Sequence, residues 1–295
     1  MERTATIVSR GPIFATASCV CGGMSIVAMQ LATSYGDDLS LALCRSLFSM
    51  LPLLPILLLR HARPSFHDGL ALFLLGSLVA GVSPWLLFMG LERAGSTMAG
   101  IIVSLGPLVT SVLAWATRQE AFSPLRWVGA AIAGSAVLLP ILANYGHHSA
   151  GSYAFLAGTL LLLSGTVISG FYNVSCRNLL KRVTPLSAST FTVLGGFVSI
   201  SILSFLNGNF LEFRFIPHDV ILLLAISGIV GGPVKLQLWS VALKVTQASR
   251  VAVFSPVVSI TAVSIDSIIK GSFPGINVLS AILLVIVGTS LVSRS

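Results

Sequence analysis

Apolar runs of about twenty residues recur from one end of this chain to the other, separated by short polar breaks, and nothing else in it narrows the fold as much. At 1.5 Å per residue, about twenty helical residues cross the roughly 30 Å hydrocarbon core of a bilayer. Within lipid the chain has to satisfy its own backbone N–H and C=O groups, and runs of this length do so as helices. Only 9% of the 295 residues are charged, 55% are hydrophobic, and the mean hydropathy is +0.96. A soluble domain carries roughly a quarter charged residues, so this composition does not coat a water-facing surface. The fold class expected is an all-α membrane protein. Its ten transmembrane helices fall at about 11–33, 38–60, 67–90, 95–118, 123–143, 151–175, 185–207, 216–243, 248–269 and 274–293.

The basic residues orient these spans, because cytoplasmic loops carry the excess of Lys and Arg. Twelve cations, from Arg3 and Arg10 to Arg294, lie at one set of ends, against Arg93, Arg214 and Lys270 at the other. Both termini are therefore expected in the cytoplasm. The net charge of +8 reads as basic loops facing an anionic leaflet, with membrane lipid rather than nucleic acid as the partner. Cys19, Cys21, Cys44 and Cys176 all fall within or beside apolar segments, where thiols act as small hydrophobes, so no disulfide, metal site or cofactor is expected. The first apolar run follows two arginines as a signal peptide would, but more spans follow at once and it reads as a retained helix.

The two halves echo each other. "HDGLALFLLGSLVAGVSPW" opens the third span and "HDVILLLAISGIVGGPVK" the eighth, and Pro84 and Pro107 are 23 residues apart, as are Pro233 and Pro256. The repeat is imperfect, since His67 to Pro84 is 17 residues and His218 to Pro233 is 15. The division is placed at 1–146 and 147–295, five spans in each part. An odd number of spans inserts the second part upside down. Matching Gly/Pro-interrupted spans in inverted halves point to a binding site at their interface.

"GLERAGSTMAGIIVSLGPLVTSVLAWATRQEAFSPLRWVGAAIAGSAVLL", "ALKVTQASRVAVFSPVVSI" and "LALCRSLF" together resemble the EamA domain of the drug/metabolite transporter superfamily. The resemblance covers nearly the whole chain. It implies ten helices, a central cavity lined chiefly by helices 3, 4, 8 and 9, and movement of small metabolites, and it fits a bacterial inner (plasma) membrane. The helix-end acid of the pattern is present as Glu120, but the second half reads "IIKGSFPG" there, with no acid.

Two cations fall inside spans. Lys235 lies just past the centre of the eighth, roughly 12 Å from its cytoplasmic end. Placing a lysine there costs at least about 3 kcal/mol on insertion scales, relieved in part by snorkelling. Its alternatives are an internally paired lysine or a cation that meets a substrate anion in a wet cavity. Arg45, about six residues inside the second span, reads foremost as structural, with substrate binding as the second possibility. Pro84, Pro107, Pro233 and Pro256, with Gly231 and Gly232, interrupt helices and serve as hinges or free carbonyls toward a cavity. Ser83, Trp85, Tyr172, Asn173, Gln237 and Trp239 complete the binding candidates; residues 235 and 239 share a helix face from which 237 points away. Asp266 and Lys270 have the spacing of an ordinary helix ion pair.

These features point to a secondary transporter working by alternating access on a small metabolite, an amino acid or related carboxylate or zwitterion, and not to an enzyme. The alternatives are a membrane-embedded enzyme of lipid metabolism, which needs a catalytic cluster that the scattered histidines do not supply, and a passive channel, which needs no symmetric breaks. Monomer and homodimer both remain open.

Overall fold

The computed structural model describes residues 2–58, 64–119, 149–208, 217–246, 254–271 and 273–294, together with 124–125, 128–129, 131–132, 135 and 251. All the elements among them are helical: α1 (Glu2–Ala32), α2 (Asp38–Met50), α3 (Leu54–Leu58), α4 (Phe66–Gly76), α5 (Ser83–Val103), α6 (Gly106–Ala116), α7 (Ser149–Leu179), α8 (Pro185–Leu206), α9 (His218–Ile229), α10 (Lys235–Val245), α11 (Pro256–Lys270) and α12 (Ile276–Arg294). Local chemistry sets several starts. The Asp37 carboxylate accepts from the Leu39 and Ser40 amides at the head of α2, Ser65 caps α4, and Thr184 caps α8 just before Pro185.

Among the described residues six stretches are long and apolar enough to cross a membrane: Gly11–Tyr35, Asp38–Ile56, Phe66–Val103, Tyr153–Leu179, Pro185–Leu206 and His218–Val245. The third, at 38 residues, is nearly twice what a bilayer requires. It is two crossings, because Gly95 has φ 79° and ψ 168° and turns the chain between them. The second of these continues past a turn at Ser104–Leu105 into α6, whose second residue is Pro107; Pro256 opens α11 in the same way. The span expected at 123–143 lies largely outside the described residues, as does Glu120.

Both long broken crossings widen where the sequence places glycine and proline. A π-helical stretch at Ser77–Val82 joins α4 to α5, and another at Val230–Val234 joins α9 to α10. Gly232, at φ −96° and ψ −106°, leaves helical geometry, and Pro233 beside it brings no N–H. Carbonyls near the second break are taken by neighbouring helices: Ser25 in α1 donates to the Ser227 carbonyl (3.2 Å) and Ser49 in α2 to that of Gly228 (2.8 Å). Near the first break, Ser199 in α8 donates to the Ser77 carbonyl (3.2 Å). Ser199 stands 150 positions after Ser49, and Gly228 stands 151 after Ser77. One contact therefore recurs between α2 and α9 and between α8 and the π-helical stretch after α4.

Small residues bring these pairs close, as in other membrane-helix interfaces. A Cβ on Gly76 would run into the Thr192 backbone, and one on Gly195 into the Phe73 carbonyl; one on Gly228 would sit 2.5 Å from the Arg45 carbonyl oxygen. Among the described residues, buried apolar side chains form two larger clusters and two smaller ones. One of the larger clusters includes Met29, Leu41, Phe88, Leu91 and Leu162, the other Ala15, Leu72, Leu180, Leu243 and Val251, and Trp239 and Phe254 touch both.

Candidate functional site

Bordered by residues of both larger apolar clusters lies a cavity of about 170 Å³. An engineered apolar cavity of about 150 Å³ holds a benzene molecule, so the space suits a solute of that size or slightly larger. Its walls come from α1, α2, both π-helical stretches, α5, the start of α6, α7, α8, α10 and the head of α11. This enclosure is wider than helices 3, 4, 8 and 9: the first, second, sixth and seventh spans contribute as well.

Lys235 opens α10 and reaches the cavity across from α1, where glycine leaves room. A Cβ on Gly22 would lie 3.5 Å from Nζ and 3.4 Å from Cε. The Ser18 hydroxyl donates to the Lys235 carbonyl (2.9 Å), tying the start of α10 to the same helix. Arg45 also lines the cavity. It is 7% exposed, its Nε has no hydrogen-bond partner, and a Cβ on Gly231 would lie 3.5 Å from Nη2. Among the described residues neither cation forms an ion pair, and no Asp or Glu lines the cavity. The expected pair of Asp266 and Lys270 does form, at 2.7 Å, far from this site near the end of α11.

The other candidates divide. Ser83, Pro84, Tyr172, Asn173, Gly231, Gly232 and Trp239 line the cavity. The Trp239 indole N–H donates to Asn173 Oδ1 (2.8 Å), and Asn173 Nδ2 donates to Thr110 Oγ1 (3.3 Å), so these groups link α10, α7 and α6. Ser83 donates to the Gly165 carbonyl (3.3 Å), and the Tyr172 hydroxyl lies 3.4 Å from Thr192 Oγ1. Trp85 and Gln237 are not on the walls. Trp85 packs against the apolar cluster around Phe88, and Gln237 turns to α8, where its Oε1 accepts from Ser189 (3.0 Å). Pro107, Pro233 and Pro256 are buried at the breaks without lining the space.

The wall from α1 escaped the sequence reading. Ser18, Gly22, Ser25 and Met29, with Cys19 and Ile26 beside them, form one stripe at helical spacing. Its signal was the run of small and polar residues in "SCVCGGMSIVAMQ", which also reads as packing.

A membrane protein, all-helical among its described residues, that surrounds a solute-sized, cationic cavity with paired broken helices fits the class of polytopic helical transporters. The chain is a member of the EamA-like transporter family, whose sequence pattern matches it twice, over residues 9–142 and 156–294. Among curated proteins it is similar to the "Uncharacterized transporter YyaM" of Bacillus subtilis (strain 168), 24% identical over 201 residues, which are 68% of this chain and 66% of that one. It is also similar to the "Uncharacterized transporter YdfC" of the same organism, 29% identical over 170 residues, 57% of this chain and 53% of that one. The chain thus spans somewhat under two thirds and about half of these relatives' lengths. A crystal structure described only as that of a protein shares the fold, with a TM-score of 0.65 at 16% identity over 97% of both chains.

Proposed function

We propose that the protein is a secondary transporter that moves a small metabolite bearing an anionic group, an amino acid or related carboxylate or zwitterion, by alternating access. The observation that carries this reading is that Arg45 and Lys235 line one cavity and that, among the described residues, no acidic side chain on its walls neutralises them. A buried cation is costly unless paired, so a site of this kind is completed by an anion brought in from solution. The two apolar clusters that border the cavity supply surfaces that part alternately, and the two π-helical breaks supply the places where the helices bend. The recurrence of the Ser49–Gly228 contact as Ser199–Ser77 supports two inverted halves, 1–146 and 147–295. The loop charges support cytoplasmic termini, in a bacterial inner membrane.

The test is flux into proteoliposomes. Saturable carboxylate uptake, stimulated by substrate on the opposite side and lost in Lys235→Ala, is the expected result. Unchanged uptake of every carboxylate by that variant removes Lys235 from the mechanism, and flux without saturation or counter-stimulation indicates a channel.

A further inference from the structure

We infer that the substrate carries its anionic group on a short apolar body, as a small hydrophobic monocarboxylate with neither an ammonium nor a hydroxyl group. This rests on the transport reading above and narrows it from carboxylates and zwitterions in general to hydrophobic acids.

A hydroxyl has a single hydrogen to give, and on these walls nearly all of them are given to the protein itself. Ser18, Ser25 and Ser49 donate to the carbonyls of Lys235, Ser227 and Gly228. Ser46 donates to the Leu43 carbonyl (2.8 Å), Thr166 to that of Leu162 (3.1 Å), and Ser83 and Ser169 both to that of Gly165 (3.3 and 3.0 Å). The Asn173 amide is engaged at both ends, by Trp239 and by Thr110, and the Tyr172 hydroxyl is matched with Thr192. Among the described wall residues that leaves the head groups of Arg45 and Lys235, with Ser255 beside Gly106 as the one hydroxyl without a partner. The engaged hydroxyls can still accept, but an acceptor on the substrate finds side-chain donors chiefly at the two cations. Its acceptors therefore belong at its charged end.

The rest of the surface is carbon. Ile26, Val79, Leu87, Val103, Leu162 and Val258 line it, and Trp239, whose only donor is committed to Asn173, offers the space its ring. A hydroxyl moved from water into such surroundings loses hydration without full replacement, whereas a methylene gains from the same move. An ammonium fares worse. It would join two charges of its own sign, and among the described residues no Asp or Glu lines the cavity. Volume sets the limit of length: about 170 Å³ is close to the roughly 150 Å³ that holds benzene, so a four-carbon chain with its carboxylate fits. How the carboxylate divides between the two cations does not alter what its body meets.

The test uses purified full-length protein and three probes of one shape: pentanoate, 4-hydroxybutyrate and 4-aminobutyrate, in which the same three methylenes end in a methyl, a hydroxyl and an ammonium. Binding is read by calorimetry. Pentanoate is expected to bind about tenfold to a hundredfold more tightly than 4-hydroxybutyrate, with 4-aminobutyrate weakest. From propanoate through butyrate to pentanoate, affinity should rise about fourfold per methylene. Butylamine, with the same four-carbon chain on a cation, should not bind, which separates the site from partition into detergent. Lys235→Gln should weaken every carboxylate and keep their order; the wild-type series decides the matter if that variant fails to fold or to bind.

Binding of 4-hydroxybutyrate or 4-aminobutyrate as tight as that of pentanoate overturns the inference while leaving a one-anion transporter standing. Affinity that stays level from propanoate to pentanoate does the same, as does failure of pentanoate to bind. Butylamine binding in place of every carboxylate overturns the transport reading along with it.

Discussion

Replacing Arg45 with methionine should make the ligand-free protein more stable and leave it unable to respond to an anion. Arg45 is 7% exposed, its Nε is unpartnered, and its guanidinium meets no carboxylate among the described residues. An arginine at the centre of a membrane helix costs about 2.5–3.5 kcal/mol on insertion scales. Facing a polar cavity recovers part of that, so about 1–2 kcal/mol is the net burden that an apolar side chain of similar length would remove. The backbone at this position is retained: the Arg45 carbonyl still accepts from Ser49 (3.0 Å) and still packs against Gly228. At about 2–4 °C per kcal/mol, the melting temperature in detergent should rise by about 2–8 °C. Anion at a hundredfold over its Kd should add about 2.7 kcal/mol to the wild type and little to the variant. A variant that loses more than about 1 kcal/mol, or that keeps the full anion-induced shift, would refute the reasoning, because Arg45 would then be repaid by the protein itself.

Three further outcomes follow from the same geometry. A size series at Gly22 should separate room from fold: Gly22→Ala meets the Lys235 side chain at 3.4–3.5 Å and should be near neutral, whereas Gly22→Leu should abolish ligand binding at unchanged expression, as read by ligand-induced thermal shift. Gly228→Ala places a methyl 2.5 Å from the Arg45 carbonyl oxygen and 2.8 Å from Phe48 Cβ, and should lower stability by about 1–3 kcal/mol in a melting experiment. The Ser104 and Ser259 hydroxyls lie 2.6 Å apart between the fourth and ninth crossings; a double-mutant cycle with alanine should return a coupling of about 0.6–1.7 kcal/mol.

The crossings that fall among the described residues, and their breaks, were legible because both are written locally, in unbroken apolar runs and in Gly/Pro clusters. Lys235 was legible for a similar reason, since a lysine amid apolar residues stands out. What is written only in tertiary contact was not legible. Arg45 read foremost as a structural residue near a helix end, and its place in the cavity depends on Ser25 and Gly231 arriving from elsewhere in the chain. Trp85 and Gln237 were singled out for adjacency to Pro84 and Lys235, but helix rotation sends neighbours in sequence to different faces. The stripe on α1 is made of side chains whose smallness is their function, and small residues also signal ordinary packing.

The matched contacts at Ser49 and Ser199 put Arg45 opposite Gly195, 150 positions later, and the paired prolines put Lys235 opposite Leu86. The matched contact recurs, but the charges beside it do not. In a carrier whose outward and inward forms arise by the halves trading conformations, such lopsided charge means that the two forms are not mirror equivalents. The same anion then meets unequal binding strengths at the two membrane faces. Net movement still ceases when the electrochemical gradient vanishes, so the two directions match at low concentration, but in such a carrier they would saturate at different concentrations.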